Sequence, residues 1–309
     1  MLLAPLSCRM QAKHHRIAVI PRLSADAQWL SLHVGIAEEA EQRQVEAYWH
    51  GPSGDQTVQE QIQLLSAAVR SNAYGIIVRP GAFVAENRVL NQALANGTPV
   101  VVLSDKIALS PSPHLYYVLE DPQATGKLIA ERLKASTGKG EVLVLGLEPD
   151  VPGSLDRLDG MESALRAIAP DIRVVGKLLH TPGGSHQDQA VRQSLREHPS
   201  LKAIVALSAG EGLSAAAATS AAAVGRKVKI IVCDQSIDLQ LLLRTGMVDS
   251  MVLQQTRRMG AKAVDDIADD QAGHHPQQNV TFAPVLVTTE NIDTEPIQQM
   301  LLMHRNPPW

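Results

Sequence analysis

Short β-branched runs alternate with helical stretches along this chain, and the order of that alternation occurs twice. The runs are Arg16–Ile20, Val45–Trp49, Gly75–Arg79, Pro99–Leu103, Glu141–Leu147, Arg173–Leu179, Ala203–Leu207, Lys229–Cys233 and Ser250–Leu253. Near-continuous apolar runs of this length read as strands of a parallel sheet buried on both faces. Between them lie the helical stretches Leu30–Gln42, Val58–Arg70, Ala124–Ala135, Leu155–Ile168, Gln187–Glu197, Leu213–Val224 and Met259–Gln271. Parallel strands need crossover connections, and helices that cross over cover the sheet on both sides. One half runs to about Leu119 and the other begins near Pro122, with equivalent elements roughly 125 residues apart. The predicted fold is therefore α/β, with two doubly wound, Rossmann-like lobes, each built on a parallel sheet.

The remainder is read more simply. A strand is expected at Phe282–Thr288, and the Gln-, Met- and Pro-rich tail, Glu295–Trp309, reads as a C-terminal extension whose sequence gives no functional reading. Ser214–Ala223 is nearly all Ala with Ser and Thr, which favours a helix lying close to a sheet. The run Asp265-Asp266 with Asp269-Asp270 has helical spacing and reads as a solvated face.

With 309 residues the chain is long enough for two lobes of ordinary size. Its 45% apolar and 19% charged residues give a globular balance. The net charge is −4, and no basic run or basic-aromatic patch is present, so nothing favours nucleic acid as a partner. No stretch reaches the ~18 apolar residues that a membrane-spanning helix needs.

In a doubly wound sheet, small molecules bind where strands hand over to helices at the carboxyl edge. Asp26-Ala27-Gln28-Trp29 follows the first strand, and Ser154-Leu155-Asp156-Arg157 follows the first strand of the second half. Both place ligand-competent side chains at such an edge. Two edges in one chain suggest two lobes facing one cleft, an arrangement suited to clamping a ligand.

Several segments resemble the type I periplasmic binding proteins, in particular the branch that binds sugars for ABC transporters and shares its fold with LacI-type repressor cores. Arg16-Ile17-Ala18-Val19-Ile20 is similar to the opening strand, and the run from Trp29 to Ile36 to the first helix. Gly75-Ile76-Ile77-Val78-Arg79-Pro80 and Gly97-Thr98-Pro99-Val100-Val101 are similar to the third and fourth strand segments. Arg157-Leu158-Asp159-Gly160-Met161 resembles the family's Arg-x-x-Gly segment, and the run from Val287 to Asp293 its usual end.

The resemblance spans about Arg16 to Asp293 and implies three crossings between the lobes, near Leu119–Asp121, near Gln254–Thr256 and near Pro284. That places 16–120 with 256–283 in an N-terminal lobe, and 121–255 with 284–294 in a C-terminal lobe. A leader, 1–15, and a tail, 295–309, lie outside them, and the three hinge segments would permit closure. Within the leader, Leu2-Leu3-Ala4-Pro5-Leu6-Ser7-Cys8 resembles the end of a bacterial lipoprotein signal, although Pro5 holds the usual Leu position and no charged segment precedes it. A lipid anchor at Cys8 and a plain N-terminal leader both stay open.

Position by position, the resemblance implies ligand contacts at Asp26, Gln28, Trp29 and Asp105, with Ser104 or Lys106 beside them. In the second lobe it implies Arg157, Ser208, Asp234 and Gln254. Trp29 would stack on a sugar face or serve as core. The carboxylates would accept hydrogen bonds from hydroxyls, and Arg157 would bond two hydroxyls at once. Arg157 is expected in the first turn of its helix, where the dipole disfavours a cation, so another interaction must hold it there. The departures are Ser208-Ala209-Gly210 where the sugar binders commonly carry Asn-Asp, Thr181–Ser185 where an aromatic is common, and Cys233 before Asp234. The implied partners are a small polar ligand, a carbohydrate first, and an ABC transporter permease, with a membrane receptor or kinase as the alternative. No cofactor, metal or catalytic role is implied.

Competing chemistries are weakly supported. Ala206-Leu207-Ser208-Ala209-Gly210 stands between strand and helix like a hydrolase nucleophile elbow, with Asp234 and His274 or His275 following in acid–histidine order. Thr137-Gly138-Lys139-Gly140 resembles a phosphate loop but precedes a strand, so it reads as a turn. His14-His15 and His274-His275 have no partners at metal-ligand spacing. Cys233, at the end of an apolar run, reads as a small core residue. A complete repressor is not expected, since the fifteen residues before the first strand are not patterned as a DNA-binding helix-turn-helix.

Overall fold

A computed structural model describes residues 15–22, 28–52, 57–81, 84–180, 187–222 and 227–302. The first half supplies β1 (Arg16–Ile20), α1 (Gln28–Gln42), β2 (Glu46–Trp49), α2 (Thr57–Arg70), β3 (Gly75–Val78), α3 (Asn87–Ala95), β4 (Val100–Ser104) and β5 (Leu115–Glu120). The second supplies α4 (Pro122–Thr137), β6 (Gly140–Leu147), α5 (Pro152–Ile168), β7 (Ile172–Leu179), α6 (Gln187–Glu197), β8 (Leu201–Ala206), α7 (Ala209–Ala221), β9 (Lys229–Cys233), α8 (Ile237–Arg244) and β10 (Ser250–Leu253). The chain ends with α9 (Thr256–Gln271), β11 (Asn279–Phe282), β12 (Val285–Val287) and α10 (Glu295–Leu301).

These strands form two six-stranded sheets of matching order, β2-β1-β3-β4-β5-β11 and β7-β6-β8-β9-β10-β12. All pairs are parallel except β12 with β10, which is antiparallel, a departure from the expected parallel sheets. The chain leaves the first sheet after β5, returns to that lobe with α9, which packs on α1, and leaves again between β11 and β12. β3, β4, β9 and β10 are apolar on both faces because helices cover both sides of each sheet, as the run composition requires. Each sheet accordingly carries two cores. Val142, Val144 and Ile231 face α4 and α5, whereas Leu143, Leu145 and Ile230 face α6, α7 and α8.

In each lobe two helices approach at backbone distance through glycines. A side chain on Gly35 or Gly260 would collide with the backbone of the facing helix in the α1–α9 pair, and Gly126 or Gly160 would do so in the α4–α5 pair. These four positions keep the helices beside the crossings close together, because a Cβ would force them apart.

The structure corrects several expectations. The strand expected at Phe282–Thr288 is split into β11 and β12, one in each sheet, with Ala283-Pro284 between them. Pro284 has no N–H to continue a ladder. β5, α3, α8 and α10 were not anticipated as elements. The tail is no loose extension: Ile297 and Leu301 are buried in the second-lobe core. The Met300 carbonyl accepts from Ser31 Oγ on α1 and from Gln235 Nε2 of the second lobe, each at 3.2 Å. The Asp265–Asp270 run is not a solvated face. Asp266 is fully buried beside Lys262, Arg43 reaches Asp265 and Asp269, and Tyr116 Oη donates to Asp270 Oδ2 at 2.5 Å. That face of α9 packs on α1 and β5, so its carboxylates are paired.

Candidate functional site

The carboxyl ends of both sheets point at one cavity of about 410 Å³, a size suited to a small molecule. Its lining follows from the strands. From the first lobe come Arg22, two residues past β1, then Arg79 after β3, Asp105 after β4 and Glu120 at the end of β5. From the second come Glu148 after β6, His180 after β7, Ser208 two past β8 and Asp234 after β9. α5 adds Gly153, Ser154 and Arg157. A buried strand followed directly by a polar residue places that side chain at the mouth of the sheet, which is why several charged side chains reach the lining.

Arg157 stands at the centre. Burial would lower its pKa, but the carboxylates of Asp234, Glu120 and Asp105 around it hold the guanidinium charged, above its ordinary value. Its Nη1 donates to the Leu207 carbonyl at 3.1 Å, and Nη2 lies 3.6 Å from Glu120 Oε2. Because α5 begins at Pro152, Arg157 sits in the second turn, not the first. The carboxylates, more than any balance with the helix dipole, account for its position. Burial pushes the Cys233 thiol up to about 11, so it stays neutral, as a core residue should.

Asp105 reaches across the cleft. Its carboxylate accepts the Gly153 N–H, and a Cβ on Gly153 would strike Asp105 Oδ1. Burial raises the Asp105 pKa, with Arg79 opposing the shift. A second bridge spans the lobes where Arg22 Nη2 donates to Glu148 Oε2 at 3.0 Å. Ser104 (φ 69°) and Asp234 (φ 74°) occupy the left-handed region at equivalent strand ends. That conformation costs non-glycine residues energy and concentrates at functional sites.

On the second-lobe wall Glu211 is buried and shared. Ser208 Oγ donates to its Oε2, and His180 Nδ1 lies 2.6 Å from its Oε1. Gly146, at φ 83°, makes room, since a side chain there would meet Glu211. With its proton committed to Glu211, Ser208 offers lone pairs to the cavity. This is not a hydrolase arrangement, in which a histidine takes the serine proton. His274 pairs with Asp269 on α9 and, like His275, is exposed and no part of the lining.

Of the expected contacts, Asp105, Arg157, Ser208 and Asp234 meet in the cavity. Asp26 and the side chains of Gln28 and Trp29 lie outside the described residues, as does Cys8. Gln254 is not in the lining. It is buried at the second crossing, where its Nε2 donates to Thr125 Oγ1 at 3.0 Å, so its place is in the hinge. Lys106 turns outward over the Tyr117 ring. Arg22, Arg79, Glu120, Glu148, His180 and Glu211 were not anticipated. The signal that could have found most of them is simple: a charged residue immediately after a buried strand. Among the described residues, no group of three or more His, Cys, Asp or Glu is placed to hold a metal.

The model of the periplasmic binding protein domain matches residues 17–274. The chain belongs to that family. No curated protein matches it. Among solved structures, a carbohydrate transporter solute-binding protein from Agrobacterium radiobacter in complex with D-arabinose superposes with a TM-score of 0.84 at 20% identity, covering 94% of this chain and 100% of the other. An ABC transporter solute-binding protein from Agrobacterium vitis with bound D-fucose gives 0.82 at 20% identity over 92% and 99%. GanP, a glucose-galactose binding protein from Geobacillus stearothermophilus, gives 0.80 at 22% over 91% and 99%. At these identities the likeness establishes the two-lobed fold of the periplasmic binding proteins, and the ligand must be argued from the cavity itself.

Proposed function

We propose that this periplasmic binding protein is an extracytoplasmic solute-binding protein. It captures a carbohydrate between its lobes and delivers it to an ABC transporter permease. The observation that carries this reading is the convergence of both sheet edges, through Arg22, Arg79, Asp105, Glu120, Arg157, Ser208 and Asp234, on one cavity. Guanidinium donors and carboxylate acceptors side by side suit a ligand whose groups both donate and accept, as sugar hydroxyls do. A ligand touching both lobes favours the closed form, and that differential affinity is what a partner can read. The sugars bound in the similar solved structures support the same class. The carboxylate-bound Ser208 has no proton acceptor of hydrolase type, so binding without catalysis is the simpler account. A thermal-shift screen of the full chain against pentoses, hexoses, polyols, furanoses and nucleosides tests it. Ligand at 100 times its Kd adds about 2.7 kcal/mol and raises the melting temperature. A shift confined to one sugar class is expected, and a shift with nucleosides alone would refute the carbohydrate reading.

A further inference from the structure

Ser208-Ala209-Gly210-Glu211 has the Ser-x-x-Glu pattern of a helix capping box at the start of α7. Ser208 is the N-cap, yet its side chain makes no capping hydrogen bond. The pair serves the cavity wall instead. The Glu211 carboxylate is buried behind that wall, in the space that the absent side chain of Gly146 leaves. It accepts from Ser208 Oγ, and His180 Nδ1 lies 2.6 Å from its Oε1. Ser208 and His180 line the cavity, whereas Glu211 does not.

This arrangement fixes the hydrogen-bond polarity of the wall. An ionised carboxylate only accepts, so Nδ1 carries the proton, and the neutral imidazole then holds a lone pair on Nε2. An occupant can reach the ring, since the His180 side chain is 39% exposed. Among the described residues, Nε2 has no hydrogen-bond partner. β7 is the edge strand of its sheet on the side away from the crossings, so His180 stands at one end of the cavity. An acceptor there, backed by a buried carboxylate, calls for a donor on the ligand and disfavours an anionic group.

We propose that His180 contacts the ligand, accepting at Nε2 from a hydroxyl, and that Glu211 is the positioning residue that holds the ring in that tautomer. This deepens the carbohydrate reading above and rests on it. The end of the sugar seated on His180 is therefore a free, uncharged hydroxyl, not a carboxylate or a phosphate.

The test is isothermal titration of the full chain with D-arabinose, D-fucose, D-allose and D-tagatose. The tightest binder is followed by its monodeoxy analogues, for the wild type and for His180→Asn. The Asn amide can still donate to Glu211 but places nothing where Nε2 stood, so the variant should melt with the wild type. It should bind the parent sugar roughly 3- to 10-fold more weakly. It should also lose the penalty for removing one particular hydroxyl, with the penalties at other positions unchanged. A variant that weakens all analogues equally, or whose deoxy profile matches the wild type, overturns the contact and leaves the carbohydrate reading standing. Histidine-selective nitrogen NMR at neutral pH tests the positioning role, with the His180 signal identified by its absence from His180→Asn. The wild type should show a neutral ring with its proton on Nδ1, and Glu211→Met, which has no acceptor, should lose that fixed tautomer and bind more weakly. A wild-type proton on Nε2, or a Glu211→Met variant with unchanged tautomer and affinity, overturns the role of Glu211. A wild type that binds none of the four sugars removes the carbohydrate reading itself, and this assignment with it.

Discussion

Arg157 is largely buried and faces three carboxylates, those of Asp234, Glu120 and Asp105. Removing the one cation of this buried set leaves its carboxylates uncompensated, a loss of about 3–5 kcal/mol. Arg157→Ala is therefore expected to abolish ligand binding and also to lower the melting temperature, which circular dichroism would register. Asp105 shows the opposite balance. Burial raises its pKa, so the folded protein bears a penalty for keeping it ionised. The sign follows from linkage: the penalty is complete above the raised folded-state pKa and is relieved as the pH falls through it toward the unfolded value. Asp105→Asn should accordingly melt above the wild type at pH 7, with the gap narrowing on acidification, while ligand affinity falls. Thermal melts from pH 4 to 7 check this, and a gap that widens on acidification would contradict it. At this scale the sequence revealed residues whose neighbours form a recognisable segment, such as Arg157 before Gly160 and Asp234 after its strand. Arg22, Arg79, Glu148 and His180 stayed hidden because a lone charged residue in a loop has no pattern of its own. Only the strand boundary beside it gives it meaning.

Elements explain why those side chains hold still. Arg157 and Gly160 share the turns of α5 that lie against α4, where Gly126 meets the Arg157 carbonyl and the Met161 nitrogen. A methyl at either glycine has backbone in front of it, which cannot yield as a flexible side chain can. Gly160→Ala should cost about 1–3 kcal/mol in stability. It should also weaken ligand binding by tilting α5 and displacing Arg157. A normal melting curve together with normal binding would show that the helix contact is looser than described. α10 behaves differently. Its apolar residues are seated in the second lobe, while the Gln299 carbonyl accepts from Arg257 of α9 at 3.2 Å and the Met300 carbonyl from Ser31. The tail thus spans both lobes. Composition concealed this, because Glu295–Leu301 has only two core positions, Ile297 and Leu301, too few for helical periodicity to declare itself. α3 and α8 were hidden for a similar reason, being short, whereas the longer helices stood out.

For the molecule as a whole, the repeated alternation of strands and helices carried the architecture, since buried parallel strands leave a composition that few other elements share. The resemblance placed a crossing near Pro284, but the same regularity hid its form, because the run around Pro284 looks like one strand and is divided between two sheets. The lobes meet through Arg22 with Glu148, Asp105 with Gly153, and Arg157 with Glu120. The central claim is that one ligand bridges these two walls, and Asp105 and Asp234 stand on opposite sides of it. Titrating the sugar found in the screen into the wild type, Asp105→Asn and Asp234→Asn tests that claim most directly. Each variant should lose at least roughly tenfold in affinity, the effect of one charge-assisted hydrogen bond. If either variant binds as tightly as the wild type, the ligand rests on one lobe alone and the interlobe account is wrong.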